Sequence, residues 1–381
     1  MHDFEIIIVG AGPSGCATAL ELAKLDPDIT SRVLLLDRAV FPRVKLCAGG
    51  MIKDADVILG QLGLRIDLPS HPVHISKFVL PTGCLTVRHP DHFRVIRRDQ
   101  FDDLLFQTAR RRGVVTRDGE SVDNITRTSQ DIVIRTSKNE YRTKIVIGAD
   151  GANSTVRRLV GLPRHDRLMI AIETFASLGE TDIPDFSRNM AIFDLSVTSR
   201  GVPGYCWIFP TVSEEPPVVS LGIMAAPFRK DETFHLRDSF AEWLGEHGID
   251  ANRFEQKSHP LLRYEPRAPC SLDRVLLTGD AAGVDPLFGE GITSALALGM
   301  IAAQSANNAI RSNDFSFSTY DKRIRSSAIG RTMRRRRFLA RRLYAKPRFG
   351  RRYLQYSTLL KWIAFLRPET SVGKITWETS Q

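Results

Sequence analysis

The feature that most restricts the fold is a glycine-rich segment that directly follows a short apolar run near the N-terminus. Residues 4–9 have the length and composition of a strand buried on both faces, and Gly10-Ala11-Gly12-Pro13-Ser14-Gly15 follows them. A helical pattern comes next, and a second apolar run, Val33–Leu36, then ends in Asp37. This order predicts two parallel strands joined by a helix, and therefore a Rossmann-like sheet.

The spacing Gly10-x-Gly12-x-x-Gly15 is typical of a dinucleotide site. Gly10 permits the tight turn, Gly12 lets the backbone approach a pyrophosphate, and Gly15 lets the helix pack closely on the strand. The N–H groups at the helix N-terminus favour the anion. Asp37 is expected to accept hydrogen bonds from a ribose and to disfavour a 2′-phosphate, which favours an adenosine diphosphate moiety.

Two later apolar runs are expected to join the same sheet. Residues 144–147 lead into Gly148-Ala149-Asp150-Gly151, and residues 274–277 lead into Thr278-Gly279-Asp280. Both runs end in glycine and aspartate, where a parallel sheet presents its ligand-binding edge. Between them, shorter and mixed strands separated by Pro- and Gly-bearing turns predict an inserted antiparallel sheet.

Two of these segments resemble the signatures of FAD-dependent group A flavoprotein hydroxylases, the p-hydroxybenzoate hydroxylase-fold superfamily. They are Asp150-Gly151-Ala152-Asn153-Ser154-x-x-Arg157 and Gly279-Asp280-Ala281-Ala282, and the second is extended by residues 286–292. The resemblance implies that Asp280 binds the FAD ribitol and that Arg98 lies along the FAD. It also implies that backbone N–H groups near Gly291 and Ile292 meet the pyrimidine end of the flavin, where a helix N-terminus stabilises negative charge.

Two further segments are similar to motifs of the geranylgeranyl reductase family within this superfamily. Residues 41–50 resemble its Lys-x-Cys-Gly-Gly/Glu-Gly loop, with Ala48 in place of the first glycine, and residues 205–210 match its Tyr-x-Trp-x-Phe-Pro strand. The Val-Gly-x-Gly expected after that strand is matched only loosely, by residues 220–223. The resemblance implies that Cys47 lies near the flavin, as a proton donor or simply as a residue that fits a tight turn.

The resulting fold prediction is an α/β protein with a Rossmann-like FAD-binding domain, an inserted antiparallel-sheet substrate domain and a basic helical C-terminal tail. The expected FAD-binding domain comprises residues 1–75, 96–164 and 268–320, the substrate domain 76–95 and 165–267, and the C-terminal region 321–381. The catalytic candidates are Cys47, Tyr205 and Trp207. The predicted cofactor-binding residues are Gly10, Gly12, Pro13, Ser14, Gly15, Asp37, Arg38, Lys45, Cys47, Ala48, Gly49, Arg98, Asp150, Gly151, Gly279, Asp280, Pro286, Gly289, Glu290, Gly291 and Ile292.

Tyr205, Trp207 and Phe209 occupy alternate positions and share one face of their strand, where they either wall an apolar substrate cavity or belong to the core. Lys45 either contacts the cofactor or an anionic substrate group, or is solvated. The leading functional hypothesis is FAD-dependent reduction of carbon–carbon double bonds in an apolar, isoprenoid-like substrate. The alternative is a monooxygenase that hydroxylates an aromatic small molecule or a protein side chain, as in the maturation of quinone cofactors in a partner enzyme.

A third hypothesis, a flavin-binding module without catalysis, is disfavoured by the intact FAD motifs. No second glycine triad is present, which leaves NAD(P)H as a transient reductant and ferredoxin, a quinol or a second flavoprotein as other donors. The five cysteines contain no CxxC pair. No histidine has metal-ligand spacing; His71-x-x-His74 and His89-x-x-His92 flank prolines and are expected in loops.

The charge distribution sets the C-terminal region apart. The chain carries a net charge of +10, of which residues 321–381 contribute +14 (17 basic and 3 acidic residues), so that the first 320 residues sum to −4. Residues 331–366 are therefore a candidate contact for an anionic membrane surface or an acidic protein partner. Alternatively, their basic helix face is solvated and their apolar side packs on the flavin domain. Nucleic acid is disfavoured because no recognised binding fold accompanies the charge. Without a signal peptide or an 18-residue apolar window, the expected location is cytoplasmic, either free or peripheral on the inner membrane face.

Overall fold

The fold is described from a computed structural model, which covers residues 2–81, 83–128, 130–163, 168–177, 179, 186–212, 217–228, 233–344 and 374–379. The helices are α1 (Pro13–Leu25), α2 (Lys53–Gln61), α3 (Arg98–Arg111), α4 (Thr155–Leu159), α5 (Leu236–Glu246), α6 (Ile292–Ser312), α7 (Tyr320–Ser326) and α8 (Ala328–Tyr344). The strands are β1 (His2–Val9), β2 (Val33–Leu36), β3 (Gly50–Ile52), β4 (Ser70–Leu80), β5 (Gly83–Ile96), β6 (Val115–Arg117), β7 (Val122–Arg127), β8 (Ile132–Thr136), β9 (Glu140–Gly148), β10 (Leu168–Ser177), β11 (Met190–Asp194), β12 (Gly204–Pro210), β13 (Val218–Ala225), β14 (Lys257–Leu262), β15 (Ser271–Leu272), β16 (Val275–Leu277) and β17 (Lys374–Thr379).

The first sheet has the order β15-β16-β9-β1-β2-β6, and its four central pairings, from β16 to β6, are parallel. β2 is fully buried, as expected for a strand covered on both faces. The predicted strand–helix–strand unit and its parallel sheet are therefore confirmed. Because β1, β9 and β16 run in the same direction, the segments that follow them converge at one edge of the sheet.

The second sheet has the order β14-β10-β13-β12-β11-β4-β5-β17, with β3 paired to β5. The sheet was expected to be antiparallel, but β11 and β4 are parallel, which makes it a mixed sheet. The second sheet also begins earlier in the chain than residue 76, since β3 and the first residues of β4 belong to it. One face of this sheet packs on α5 through Phe240 and Trp243, and the other faces the first sheet.

The pairs His71-x-x-His74 and His89-x-x-His92 lie in β4 and β5 rather than in loops, which corrects the sequence-based expectation. The nearby prolines are compatible with strands because the register of β4 against β5 shifts just beyond Pro72, between Val73 and Ile75. The imidazole of His71 hydrogen-bonds through Nε2 to the Arg188 carbonyl oxygen at 2.6 Å.

The C-terminal region is helical in α7 and α8, as predicted, but residues 374–379 form a strand, so the helical prediction is wrong there. In the segment Lys-Ile-Thr-Trp-Glu-Thr, polar and apolar side chains alternate, which is the pattern of a strand. β17 pairs antiparallel with β5 and so covers the edge of a 14-residue strand. Residues 345–366 of the predicted membrane or partner contact lie outside the described residues. None of the described helices is long and apolar enough to cross a bilayer.

Candidate functional site

A cavity of about 640 Å³ lies between the carboxyl edge of the first sheet and the inner face of the second. This volume is within the range of about 300–1,000 Å³ that small-molecule and cofactor sites occupy. It is lined by the ends of β1, β2 and β9, by residues 43–50, by the N-terminus of α6 and by β12. One cavity therefore joins the glycine-rich edge to the predicted aromatic strand.

At the glycine-rich edge, Gly10 has a φ of +102°, and a Cβ on it would lie 2.4 Å from the carbonyl oxygen of Ala149. Only glycine fits this turn. Gly12 is the N-cap of α1, and no side chain caps this helix, so its first N–H groups remain for a ligand. The Asp37 carboxylate is held at the end of β2 by the backbone N–H groups of Ala11 and Ala39, at 2.7 and 2.8 Å.

A buried ion-pair cluster lies beside this edge. Arg98 donates to both oxygens of Asp102 at 2.9 and 3.0 Å, and Arg43 lies 3.1 Å from the same carboxylate, which is fully buried. Burial disfavours the charged guanidinium, but attraction by Asp102 and hydrogen bonds to Asp102 and Cys47 outweigh it and raise the pKa of Arg98. Arg43 was not predicted. The spacing of Arg98 and Asp102 on one helix, four residues apart, is a signal that could have identified Asp102.

The two aspartates of the FAD motifs, Asp150 and Asp280, are half-buried, and their partial removal from water raises the pKa of each. Asp150 accepts hydrogen bonds from Ser154 Oγ at 2.5 Å and from the Val156 N–H at 2.9 Å, so it also fixes the start of α4. Lys45 and Arg98 line the same cavity as Asp280, and their positive charges oppose the effect of burial on its pKa.

The start of α6 forms the next part of the cavity wall. Glu290 accepts a hydrogen bond from the Thr293 N–H at 2.8 Å, and burial raises the pKa of its carboxyl group. Ile292 is the first residue of the helix and lines the cavity, where its N–H has no acceptor within the helix. An anionic or carbonyl group of a ligand fits this position.

Most of the predicted cofactor residues line this cavity, and three do not: Gly15, Gly279 and Pro286. A Cβ on Gly15 would lie 1.8 Å from the Gly10 carbonyl oxygen, which agrees with the packing role expected for it. A Cβ on Gly279 would likewise lie too close to its neighbour, at 2.6 Å from the Cβ of Ser14. The predicted residues that the structure brings to the cavity are Gly10, Gly12, Pro13, Ser14, Asp37, Arg38, Lys45, Cys47, Ala48, Gly49, Arg98, Asp150, Gly151, Tyr205, Trp207, Asp280, Gly289, Glu290, Gly291 and Ile292.

The opposite end of the cavity is an aromatic wall. Phe193 is at its centre, with ring centroids 5.0 Å from Phe209 and 5.9 Å from Tyr205. Tyr205 donates from its hydroxyl to the Phe288 carbonyl oxygen at 2.7 Å, and burial raises its pKa. The aromatic wall consists of Phe78, Phe93, Phe193, Tyr205, Trp207, Phe209 and Phe288. Four of these residues were not singled out from the sequence, since they come from four separate segments.

Cys47 lies between the Arg98 cluster and the aromatic wall. It is half-buried, its Sγ accepts a hydrogen bond from the Gly49 N–H at 3.4 Å, and it lines the same cavity as Arg98. Gly50, at the end of the same loop, contacts Phe209. The loop therefore places a thiol where the polar and apolar parts of the cavity meet.

His259 and Arg336 are further cavity residues that were not predicted as site residues. His259 lies on β14, and burial together with Lys45 and Arg98 lowers its pKa to about 4, which keeps the imidazole neutral at neutral pH. Arg336, on α8, was expected on an outward-facing basic surface. Its guanidinium instead lies 2.9 Å from the buried carboxylate of Asp285, because this face of α8 packs on the aromatic wall through residues such as Leu339 and Leu343.

A protein-family model described as an FAD binding domain matches residues 3–297 of the chain. The chain belongs to this FAD-binding domain family. It is a flavoprotein and an FAD-dependent oxidoreductase, and the resemblance to geranylgeranyl reductases within this fold is confirmed. The geometry fits FAD, because two helix N-termini, the buried arginines and the tight turn at Gly10 all meet in one cavity.

Two relatives and two solved structures show the range of similar proteins. The chain is 28% identical to digeranylgeranylglycerophospholipid reductase 2 of Methanosphaera stadtmanae, over 83% of this chain and 81% of that protein. It is also 28% identical to menaquinone reductase of Mycolicibacterium smegmatis, over 79% of this chain and 75% of that protein. The crystal structure of a geranylgeranyl bacteriochlorophyll reductase-like protein from Thermoplasma acidophilum has a TM-score of 0.76 at 20% identity, covering 98% of this chain and 93% of that one. A flavin-dependent brominase has a TM-score of 0.72 at 21% identity, covering 96% and 93%. The two structures show a common fold.

Proposed function

We propose that this flavoprotein reduces carbon–carbon double bonds of an apolar, isoprenoid-like substrate. The observation that carries the proposal is the single cavity in which the Cys47 loop separates the cofactor residues from an aromatic wall. An elongated apolar group fits the aromatic wall because the rings bury it without unpaired polar atoms. The names of the relatives support the proposal, since one acts on a geranylgeranyl lipid and another on menaquinone.

Each part of the chain has a defined task in this reaction. Bound FAD, once reduced, supplies a hydride to one carbon of the double bond. The Cys47 thiol donates the proton that the neighbouring carbon needs, so that one hydride and one proton complete the reduction. Tyr205 and Trp207 orient the substrate and exclude water. The first sheet and its connections hold FAD, the second sheet holds the substrate, and NAD(P)H is the transient reductant.

The test compares substrate and oxygen as acceptors of the same electrons. The protein is reduced anaerobically and mixed with a geranylgeranyl phospholipid or with menaquinone while the flavin absorbance is followed. Rapid reoxidation supports the proposal when the two added hydrogens lie in the isoprenoid chain of the product, since reduction of the menaquinone ring to the quinol would also add two hydrogens. Cys47→Ala is expected to slow this step about 10²-fold or more without loss of FAD, as expected for a general acid. Cys84→Ala, in a strand outside the cavity, is the matched control.

The result against the proposal is specific. If substrate leaves reoxidation slow, and labelled O₂ places an oxygen atom in an aromatic product or in a partner protein, the flavoprotein is a monooxygenase.

We further propose that the outer face of α8 contacts an anionic phospholipid surface, from which such a substrate would enter. From Arg331 onward its exposed residues are basic, apart from Phe338. The Phe338 side chain is 46% exposed, and its ring centroid lies 4.5 Å from the guanidinium of Arg342. A basic face with an exposed aromatic ring suits the headgroup region of a bilayer. The exposed basic residues of this face are Arg331, Arg334, Arg335 and Arg341.

Sedimentation with vesicles tests this contact. The full chain is expected to bind vesicles that contain phosphatidylglycerol and not vesicles of phosphatidylcholine alone, with binding lost at high salt. Replacement of Arg334 and Arg335 by glutamate is expected to abolish binding. The same replacement of Arg127 and Arg135, exposed on the β7–β8 hairpin, is the matched control. Equal binding by both double variants would contradict the proposal.

A further inference from the structure

The two polar side chains of the aromatic wall are Tyr205 and Trp207, and each has one hydrogen that it can donate. Both hydrogens are already donated to acceptors within the protein. Tyr205 donates to the carbonyl oxygen of Phe288 at 2.7 Å, and Trp207 donates from Nε1 to Ser220 Oγ at 3.0 Å. The side chains of the seven wall residues, all within the described part of the chain, therefore present rings to the cavity and no free donor.

Ser220 accepts from the indole while its own hydrogen is donated onward. Ser220 Oγ donates to Glu173 Oε1 at 2.7 Å. Ser220 is fully buried and Glu173 is only 1% exposed, so water does not compete for either hydrogen bond. Because the indole nitrogen can donate but cannot accept, the chain of donors runs from Trp207 through Ser220 to Glu173.

Gly222 gives the indole room for this contact. In the sheet, Gly222 on β13 is paired with Trp207 on one side and with Glu173 on the other. Ser220 is two residues away on the same strand and shares its face. A Cβ on Gly222 would lie 2.0 Å from Cζ2 of the indole, so the absence of a side chain there lets the indole cross Gly222 and reach Ser220.

We propose that Ser220 and Glu173 are positioning residues that determine the specificity of the aromatic wall. By holding the Trp207 N–H away from the cavity, they make the wall a surface for hydrocarbon that excludes groups in need of a donor, such as the carbonyl oxygens of a quinone ring. A carbonyl group moved from water to this wall loses its hydrogen bonds without replacement, whereas an isoprenoid chain has none to lose. The inference rests on the proposed function, in which the wall holds the substrate, and it places the chain of a prenylated quinone, not the ring, against the wall.

Removal of the Ser220 hydroxyl is expected to reverse this selectivity. In Ser220→Ala the indole N–H has lost its acceptor, and a buried N–H without a partner is costly. A ligand carbonyl that reaches the indole satisfies this N–H, so its binding strengthens about five- to tenfold relative to a hydrocarbon of the same shape. Glu173→Leu leaves the Ser220 hydroxyl free to turn away from the indole and shifts the selectivity in the same direction. Glu173→Gln keeps an acceptor for Ser220 and retains the native selectivity.

Equilibrium dialysis with fluorene and 9-fluorenone tests the inference on the oxidised, FAD-bound protein. The two probes are rigid rings of nearly equal shape, and only fluorenone carries a carbonyl group. The ratio of their dissociation constants is compared between variants, so that the different solubilities of the probes cancel. Ser76→Ala is the matched control, because Ser76 is a fully buried serine on β4, outside the cavity lining. FAD content and melting temperature verify that each variant is folded.

The expected result is a ratio that moves about five- to tenfold towards fluorenone in Ser220→Ala, moves in the same direction in Glu173→Leu, and changes by less than about twofold in Glu173→Gln and Ser76→Ala. Three results would overturn the inference: no binding of fluorene to the native protein, a native ratio in Ser220→Ala, or an equal shift in Ser76→Ala.

The Trp207 indole gives a second measurement. Its Nε1–H nuclear magnetic resonance, identified by its loss in Trp207→Phe, is expected to move upfield in Ser220→Ala and to return downfield with fluorenone but not with fluorene. If Ser220→Ala does not fold, the native protein decides alone. A native indole resonance that fluorenone shifts no more than fluorene does supports the inference, and a larger shift with fluorenone reveals an available donor and refutes it. Because no reduction is measured, failure of this test is distinguishable from failure of the reductase test.

Discussion

The buried Glu173 carboxylate destabilises the folded protein at alkaline pH, and Glu173→Gln measures by how much. Burial raises its pKa from 4.5 to about 7, so the folded protein keeps a proton that the unfolded chain has already released. Folding free energy is therefore lost as the pH rises from 4.5 through 7 and then stays constant. At about 1.4 kcal/mol per pH unit, the total loss is about 3 kcal/mol, of which about 2.5 kcal/mol falls between pH 5 and pH 8.

Glutamine has nearly the same shape as glutamate and does not ionise, so the variant does not lose this folding free energy as the pH rises. Relative to the native protein, Glu173→Gln is expected to become about 2.5 kcal/mol more stable when the pH changes from about 5 to about 8. Urea unfolding at both pH values, with the same excess of FAD, gives the two free energies of unfolding. Glu255→Gln, at the surface, is expected to differ by less than about 0.5 kcal/mol. A stability difference that is the same at both pH values would refute the assignment of a neutral-range pKa to Glu173.

Two other substitutions test close packing and ion pairing in the site. Gly222→Ala is expected to destabilise the protein by about 1–3 kcal/mol and to slow reduction, because the new methyl group displaces the Trp207 indole. Calorimetry measures the loss of stability, and flavin reoxidation by substrate measures the slower reduction. Arg336→Met leaves the buried carboxylate of Asp285 without its ion-pair partner and is expected to lower the free energy of unfolding by about 3–5 kcal/mol in urea.

Controls on helices of the same protein separate these effects from general sensitivity to substitution. Gly60→Ala introduces a methyl group with no atom within 4 Å and is expected to be neutral or stabilising by up to about 1 kcal/mol. Arg334→Met removes an exposed arginine from the same helix as Arg336 and is expected to change stability by less than about 0.5 kcal/mol. If Gly222→Ala and Gly60→Ala change the free energy of unfolding equally, the packing argument fails. If Arg336→Met and Arg334→Met do so, the ion-pair argument fails.

Local sequence patterns predicted the glycine-rich end of the cavity. The turn at Gly10, the uncapped helix after Gly12 and the acid at the end of β2 depend on neighbouring residues and on strand order, which the sequence displays directly. The aromatic strand could also be predicted, because Tyr205 and Trp207 alternate along it. Such motifs can be recognised in the sequence because all of their residues belong to one short segment of the chain.

The other parts of the site depend on contacts between distant segments. Nothing near Glu173 in the sequence distinguishes it from a surface acid, since its hydrogen-bond partner Ser220 lies 47 residues later in the chain. Arg336 belongs to a run of four arginines, and only the packing of α8 determines which of them face Asp285 and which face solvent. The strand at 374–379 shows a clear alternation, but its partner β5 is almost 300 residues away.

The indole that crosses Gly222 has a consequence for how this sequence can evolve. An aromatic ring of this size at position 207 requires the absence of a side chain at position 222, so neither position can change freely without the other. In an alignment of homologues, the two positions should vary together, with larger residues at 222 only where 207 has become smaller. Homologues in which both positions have changed are expected to have a cavity of different shape, suited to a different substrate.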